Sequence, residues 1–391
     1  VTLGAMFASR EPVLKKEKVP WSPAEMVLLA AFLVVMACFI MNSSYYPVVA
    51  MDAHSYDGRA QYLLHDGTLD LDMYHWPGSN WNGNSNITYP PLHSLGLALF
   101  YALGGVQSKM LSGFFLVAFS ISLYGVFREG LPRVFAFLLC IFFSLTPEMM
   151  SHASFVLLNV PAAALLTASA ICLSRMLNTG YRGWLILAGV FAMGASGVRT
   201  DAIPIHLSLG VAFTLAYLID TRSMKAFLRV LPTFALAWAL PLLTWGTWLL
   251  YLRFIIGVEA LSPFTTVNNI GAGMMWFVVK QVPFHTGTFA YVFMAYLVAF
   301  ALFLIWGRGD ARGRFFHLAT LLCFGVIVVM YGFISRDFGG GPKDVLNSSF
   351  KRALFNVVPL TVMAIGFSPP WRWLTRVTKH ILHRSDPLQD S

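Results

Sequence analysis

The stretch from residue 23 to residue 41 reads PAEMVLLAAFLVVMACFIM, with Glu25 as its one charged member. A helix of about 20 apolar residues is long enough to cross the hydrocarbon core of a bilayer, so this stretch predicts a transmembrane helix. The basic residues Lys15, Lys16 and Lys18 precede it, and no small-residue cleavage site follows it. Basic residues before an uncleaved span favour a signal anchor whose amino-terminal side stays in the cytoplasm.

Apolar windows of similar length recur along the 391-residue chain. They begin near Met110, Val134, Phe155, Trp184, Ile203, Val230, Thr288, Phe316 and Ala353. The composition agrees, because 57% of the residues are hydrophobic and 12% are charged, whereas water-soluble proteins carry about a quarter charged residues. We therefore expect an all-α integral membrane protein with about ten transmembrane helices. The same composition excludes a soluble globular enzyme.

The formal net charge is +9, but the basic residues are spread in small groups between the apolar windows. A nucleic-acid-binding protein would carry them on a polar domain, so no nucleic-acid partner is expected. With the amino terminus inside, eighteen Lys and Arg fall on the cytoplasmic side and eight on the opposite side, with Arg253 near a span end. Because positive charges are retained in the cytoplasm, we predict a multi-pass protein of the bacterial inner membrane with both termini cytoplasmic. The expected organisation is a cytoplasmic tail over residues 1–22, a transmembrane domain over 23–370 and a basic cytoplasmic tail over 371–391.

One predicted exterior segment, residues 43–109, is much longer than the others and contains five acidic residues. These are Asp52, Asp57, Asp66, Asp70 and Asp72. The segment ends in the apolar piece 92–103, which is too short to span and which we expect to lie as a helix at the outer membrane interface. Trp76 and Trp81 are candidates for the aromatic belt there. A second exterior segment, residues 336–352, is Gly-rich and basic.

Two features of the predicted exterior side carry candidate chemistry. The first is Asp52, whose carboxylate could accept a proton from a hydroxyl group as a general base, or bind a metal with His54 or Asp57. The second is Arg199, which lies between two apolar runs with Asp201 two residues later. An ionisable pair at membrane depth is a candidate functional site, and a structural ion pair that fixes helix packing is the alternative interpretation.

Four segments, taken in chain order, resemble the GT-C glycosyltransferases. They are Asp52 with Tyr56, Tyr89-Pro90-Pro91-Leu92, Gly197-Val198-Arg199-Thr200, and residues 349–360, SFKRALFNVVPL. No segment is specific alone, and their shared order across residues 20 to 370 carries the resemblance. The family includes the protein mannosyltransferase, aminoarabinose transferase and Rgt-like branches.

The resemblance implies a polytopic enzyme that moves a sugar from a polyprenyl-phosphate donor to an acceptor hydroxyl on the non-cytoplasmic face. Asp52 is then the general base or a metal ligand, and a divalent metal ion is the one cofactor to consider. Four basic residues are the candidates for binding the donor phosphate: Arg199, Lys343, Lys351 and Arg352. The implied partners are the lipid-linked sugar donor, membrane lipid, and a glycan, lipid or protein acceptor.

The chain departs from this family pattern at two places. Many relatives carry Asp-Glu in the first exterior loop, where Asp52 is followed here by Ala53; where a second Asp often opens the fourth span, this chain has Asn159. Four residues are candidates for a second acidic or metal-binding role: His54, Asp57, Glu148 and His152. Two other functions stay open, a transporter or flippase for lipid-linked sugars and a non-catalytic subunit of a membrane assembly. A transporter needs a pathway that opens to both faces of the membrane, whereas the charged candidate residues are predicted mainly on the exterior side. This distribution favours the enzyme over the transporter.

Overall fold

The computed structural model of the protein describes residues 22–44, 51–69, 89–105, 109–153, 157–256, 283–284, 286–289, 291–306, 311–333 and 350–368. Every regular element in these ranges is helical. The helices of the first half are α1 (Pro23–Ser44), α2 (Met51–Asp66), α3 (Leu92–Ala102), α4 (Lys109–Phe127), α5 (Arg133–Ser144), α6 (Pro147–Ala153), α7 (Asn159–Thr179) and α8 (Gly183–Val198). The second half contains α9 (Ala202–Thr221), α10 (Met224–Tyr251), α11 (Thr286–Phe289), α12 (Val292–Trp306), α13 (Ala311–Phe333), α14 (Lys351–Leu354) and α15 (Val358–Gly366).

Five of the described helices, α4, α7, α9, α10 and α13, are long and apolar enough to cross a membrane. Helices α5 and α6 together would make a sixth span, but they are bent by 65° at the break before Pro147. Shorter apolar stretches lie in α1, α3, α8 and α12. The all-α membrane class is therefore confirmed, whereas the expected count of about ten spans is not. Hydropathy alone does not show where Gly, Pro or a buried charge ends a helix, so several predicted windows became shorter elements.

The core of the bundle surrounds α15, in which every residue from Val358 to Gly366 is buried. A helix that is apolar on all sides is stable only inside such a core, and α15 packs against α12 and α13. A smaller apolar cluster joins α2 and α3 to the start of α7 through Tyr56, Leu97 and Leu158. This second cluster packs α2 and α3 against the start of α7.

Glu25, the charged residue of the opening stretch, fixes the start of α1. Its N–H donates to the hydroxyl of Ser22 over 3.2 Å, and its carboxylate accepts from the N–H of Ser22 over 3.3 Å. This reciprocal capping box satisfies backbone donors at the first turn of a helix. The same carboxylate also pairs with Arg128 over 2.6 Å and accepts from the hydroxyl of Tyr124. A residue that would be costly in a transmembrane helix thus joins α1 to α4.

The two ends of α7 differ in what they bind. Near its C-terminal end, Arg175 pairs with Glu129, which also pairs with Arg312 over 3.2 Å. Asn159 begins the helix and contacts Arg199. At 1.5 Å per residue, Asn159 and Arg175 lie about 24 Å apart along the helix axis. The arginines assigned to the cytoplasmic side and the one assigned to the exterior therefore lie at opposite ends of the bundle.

We predict that Asp66→Cys and Lys225→Cys differ in labelling by a membrane-impermeant thiol reagent in intact cells. Both native side chains are exposed, at the end of α2 and the start of α10 respectively. The charge distribution places the first outside and the second in the cytoplasm, so the cysteine at 66 should react and the one at 225 should not. The background lacks Cys38, Cys140, Cys172 and Cys323, and lysed cells serve as the control for reactivity. Equal labelling at both positions in intact cells would contradict the topology.

Gly189 allows α8 and α10 to approach closely. A Cβ atom at this position would lie 2.6 Å from the carbonyl oxygen of Ala237 and 2.7 Å from its Cα. Both of these atoms belong to the backbone, which cannot rotate away as a side chain can. Because α8 ends directly before Arg199, this contact also fixes the helix that positions that residue.

Gly189→Ala is expected to destabilise the folded protein by about 1–3 kcal/mol, the usual cost of overpacking a tight interface. The thermal midpoint of the purified protein in detergent measures the effect. Gly246→Ala is the matched control, because it lies on α10 and a Cβ there would meet nothing within 4 Å. The control should be neutral or more stable by up to about 1 kcal/mol, since alanine favours helix over glycine. Equal losses in the two variants would be inconsistent with the close approach.

Candidate functional site

A cavity of about 70 Å³ lies at the start of α7. Six elements meet there: α2, the segment before α3, the segment that starts α7, the turn between α8 and α9, the end of α13, and α14. The lining residues are Tyr56, Tyr89, Leu157, Leu158, Asn159, Arg199, Tyr331 and Arg352. This lining contains three tyrosines, two arginines and the amide of Asn159. Because arginine binds anions strongly, the cavity is suited to an anionic ligand.

Arg199 enters this cavity from the point where α8 ends. Its backbone is extended, with φ −143° and ψ 139°, while its N–H still bonds the carbonyl of Ala195 over 2.9 Å. The side chain is 8% exposed, and its Nε and Nη2 each donate to a carboxylate oxygen of Asp201 over 2.7 Å. The predicted pair is therefore a bidentate ion pair in the turn that separates α8 from α9.

The charge of Arg199 is fixed by its surroundings. Burial alone lowers the pKa of a guanidinium group, but the Asp201 carboxylate more than offsets this, so the pKa of Arg199 is raised. Nη1 donates to the Oδ1 atom of Asn159, and the guanidinium carbon lies 5.6 Å from the centre of the Tyr89 ring. Arg199 thus stays protonated, with its planar group held between α7 and the segment before α3.

A line of polar side chains continues from Arg199 to α14. The Nδ2 atom of Asn159 lies 2.7 Å from Nδ1 of His152, and Nε2 of His152 lies 3.1 Å from a carboxylate oxygen of Glu148. The other carboxylate oxygen of Glu148 lies 2.5 Å from Nζ of Lys351. Lys351, predicted to bind the donor phosphate, is therefore neutralised by Glu148 and is not among the residues that line the cavity. Its neighbour Arg352 does line the cavity.

The segment predicted to be exterior contributes Tyr56 and Tyr89 to the cavity lining. Arg59 is 2% exposed, donates to the carbonyl oxygen of Tyr89 over 3.1 Å, and lies 5.7 Å from the ring centre of Trp248. The rings of Tyr56 and Tyr89 meet edge to face at 6.3 Å. Pro90 and Pro91 follow directly, and Pro91 is the N-cap of α3. This arrangement holds Tyr56 and Tyr89, both predicted motif residues, at the cavity.

The remaining predicted residues lie nearby or outside the described part. Asp52 and His54 belong to the first turn of α2, four and two residues before Tyr56, and their side chains lie outside the described residues. Asp57 is described, and its carboxylate accepts a hydrogen bond from the hydroxyl of Tyr101. Lys343 lies outside the described residues, as do Trp76 and Trp81.

The helical arrangement around this cavity matches solved structures. Over 91% of its length the chain superposes on ArnT from Cupriavidus metallidurans bound to undecaprenyl phosphate, with a TM-score of 0.57 and 16% sequence identity. The chain has the ArnT fold. The apo state of ArnT gives the same TM-score, 0.57, over 92% of this chain. The fold expected from the GT-C resemblance is thereby confirmed.

The match covers 63% of the ArnT chain, so this protein spans less than two thirds of that structure's length. No family model matches the sequence, and no curated protein matches it either. At this identity the comparison with ArnT establishes the fold alone.

The possible metal site is not supported by the described residues. They contain no group of three His, Cys, Asp or Glu side chains that could bind a metal ion together. Glu148 is occupied by Lys351 and His152, and Asp57 by Tyr101. Both of these carboxylates therefore have protein partners, and a metal-binding role of Glu148, His152 and Asp57 stays a prediction.

Sequence reasoning missed three residues that line or border the cavity. In the sequence Asn159 is only a departure from the family pattern, Tyr331 ends an apolar run, and Arg59 is one of the eight basic residues predicted to lie on the exterior side. For Arg59 a signal was present, because it follows Tyr56 by three residues and so shares its helix face. An Arg on the same face as a motif Tyr could have been placed at the site from the sequence.

Proposed function

We propose that this chain is a membrane glycosyltransferase that moves a sugar from a polyprenyl-phosphate donor to an acceptor hydroxyl. The observation that carries the proposal is the cavity at the start of α7, which two arginines, Arg199 and Arg352, line together. The chain shares its fold with ArnT, whose structure holds undecaprenyl phosphate. In this proposal it lies in the bacterial inner membrane with both termini in the cytoplasm, about ten spans, and the cavity on the opposite face.

Arg199 is suited to bind a phosphate group because its hydrogen bonds to the protein do not use all of its N–H donors. A guanidinium group has five N–H bonds. Asp201 takes one from Nε and one from Nη2, and Asn159 takes one from Nη1. One N–H on Nη1 and one on Nη2 are left for a ligand in the cavity. Two parallel donors of this kind match the oxygens of a phosphate group.

The phosphate is also the leaving group of the proposed reaction. When the bond between the sugar and the phosphate breaks, the phosphate gains negative charge, and fixed cations stabilise that charge in the transition state. Arg199 and Arg352 are the residues for this role, with Lys343 as a further contributor from the predicted basic segment. Lys351 acts on the site through Glu148 in this proposal and does not contact the phosphate.

Asp52 is the proposed general base. It precedes Tyr56, which lines the cavity, by one turn of α2, or about 6 Å along the helix axis. The acceptor hydroxyl attacks the sugar carbon that carries the phosphate, and its proton passes to the Asp52 carboxylate as the carbon–phosphate oxygen bond breaks. The acceptor is a glycan, lipid or protein hydroxyl.

Thermal stabilisation by undecaprenyl phosphate tests the binding part of this proposal. A ligand that binds the folded state raises the thermal midpoint, because it adds to the free energy of unfolding. The added free energy is about 2.7 kcal/mol when the ligand concentration is a hundred times the dissociation constant. Undecaprenol, which has the same chain but no phosphate, is the matched control and should give a much smaller shift. Equal shifts with both lipids would mean that the protein recognises the chain alone, against the proposed phosphate site.

A further inference from the structure

We infer that Glu148, His152 and Asn159 form a positioning relay that orients the Arg199 guanidinium toward the cavity. The geometry of the relay stands on its own, and what Arg199 binds rests on the proposed function. The three residues belong to two helices that pack against each other, α6 and α7. Glu148 and His152 pair within α6, and the contact between His152 and Asn159 joins α6 to α7.

Each member of the relay is buried, and a buried polar group is stable only when it is hydrogen-bonded. The exposed fraction is 8% for Glu148, 5% for His152 and 2% for Asn159. The groups that face His152 are Glu148 from α6, Asn159 from α7, and Lys351, Arg352 and Phe355 from α14 and the turn after it. Phe355 contacts the imidazole ring face at a centroid distance of 4.8 Å. The ring therefore has a fixed plane and two polar partners.

Only one arrangement of protons satisfies this line of contacts. Arg199 can only donate, so the atom of Asn159 that faces it must be the carbonyl Oδ1. The amide nitrogen of Asn159 then faces His152 and donates to Nδ1, which must carry no proton. The proton of the neutral imidazole lies on Nε2 and donates to the carboxylate of Glu148.

In this arrangement the orientation of the Asn159 amide depends on the acceptor at His152. If position 152 offered no acceptor, nothing in the relay would hold the Asn159 amide in the orientation that presents Oδ1 to Arg199. The Nη1 donor of Arg199 would lose its fixed partner, and the two remaining N–H groups would no longer be held toward the cavity. His152 is therefore a positioning residue for Arg199, from which it is separated by one side chain.

Two substitutions at position 152 distinguish the hydrogen bond that orients Asn159 from the packing of the imidazole ring. His152→Gln supplies one acceptor and one donor, as the neutral imidazole does, whereas His152→Phe keeps a ring beside Phe355 and supplies neither. We expect His152→Phe to weaken undecaprenyl phosphate binding by about tenfold, the lower end of what is lost when a residue that orients a metal-binding side chain is removed. His152→Gln should stay within about threefold of the parent. Equal weakening in both variants would overturn the inference in favour of a purely steric role.

The protonation state of His152 gives a readout that needs no ligand. In nitrogen NMR spectra of the full chain with labelled histidine, the resonances absent from His152→Gln belong to His152. We expect an unprotonated Nδ1 and a protonated Nε2. A proton on Nδ1 would overturn the relay whatever the binding data show. Failure of the parent protein to bind undecaprenyl phosphate would instead count against the proposed function, while the NMR result still decides the relay.

Discussion

Replacing Asp52 with Asn is expected to abolish sugar transfer while undecaprenyl phosphate binding stays within a few-fold of the parent. The amide keeps the size of the carboxylate but cannot accept the proton of the acceptor hydroxyl. General-base catalysis contributes about 10² to 10⁴ in rate, so the loss should be far above assay noise. The rate of donor consumption at saturating donor and acceptor measures it, and thermal stabilisation by the lipid phosphate measures binding.

Two other carboxylates of α2 serve as controls for Asp52. Asp66 is exposed at the end of the helix, and Asp66→Asn should keep the parent rate. Asp57 is held by the hydroxyl of Tyr101, and Asp57→Asn should have a smaller effect than Asp52→Asn. If Asp52→Asn kept more than about a tenth of the parent rate, the base assignment would be wrong. If Asp57→Asn alone abolished transfer, the base would be Asp57 and the family motif would be misaligned by five residues.

Arg199→Ala is expected to weaken use of the donor by about 10- to 150-fold, because a hydrogen bond to a charged group contributes about 1.5–3 kcal/mol. The measurement is kcat/KM for the donor, together with the yield of folded protein. Removing Arg199 alone leaves the Asp201 carboxylate without its partner, which could destabilise the fold. The double variant Arg199→Ala, Asp201→Ala removes both members of the ion pair. It therefore shows the loss of donor use without the destabilisation caused by an unpaired Asp201 carboxylate.

A second Arg–Asp pair at the other end of the bundle is the matched control. Arg314 donates to Asp220 over 2.9 Å, and both residues belong to the predicted cytoplasmic side. Arg314→Ala should leave kcat/KM for the donor unchanged. If the double variant at 199 and 201 folds and uses the donor as the parent does, the pair has only the structural role that was the alternative interpretation. Comparable losses at positions 199 and 314 would also count against a phosphate site.

The fold was predictable because its signals are local. Apolar windows with flanking charge predicted the helices, and the order of four short segments predicted the ArnT-like arrangement. The number of spans was not predictable in the same way. Hydropathy predicts one continuous span over residues that form two helices, α5 and α6, bent by 65°. Hydropathy measures apolar character and does not detect the helix break before Pro147. The same holds for the window that became α8, which ends at the buried charge of Arg199.

The candidate site was predictable in part. The pairing of Arg199 with Asp201 spans two residues, and the sequence shows it directly. The contact between Lys351 and Glu148 joins residues 203 positions apart, and no local pattern specifies which helix ends meet. The sequence therefore predicts Lys351 as a phosphate ligand without showing that a carboxylate lies beside it. The contacts that His152 and Glu148 make with Asn159 and Lys351 are likewise not visible in the sequence.

Incubation of the purified protein with a panel of radiolabelled polyprenyl-phosphate sugars tests the central claim most directly. The account predicts that at least one donor is consumed, that polyprenyl phosphate appears in equal amount, and that Asp52→Asn protein consumes none of it. Binding of these donors without any consumption, under conditions where the protein is folded, would contradict the claim and favour a transporter or a non-catalytic subunit.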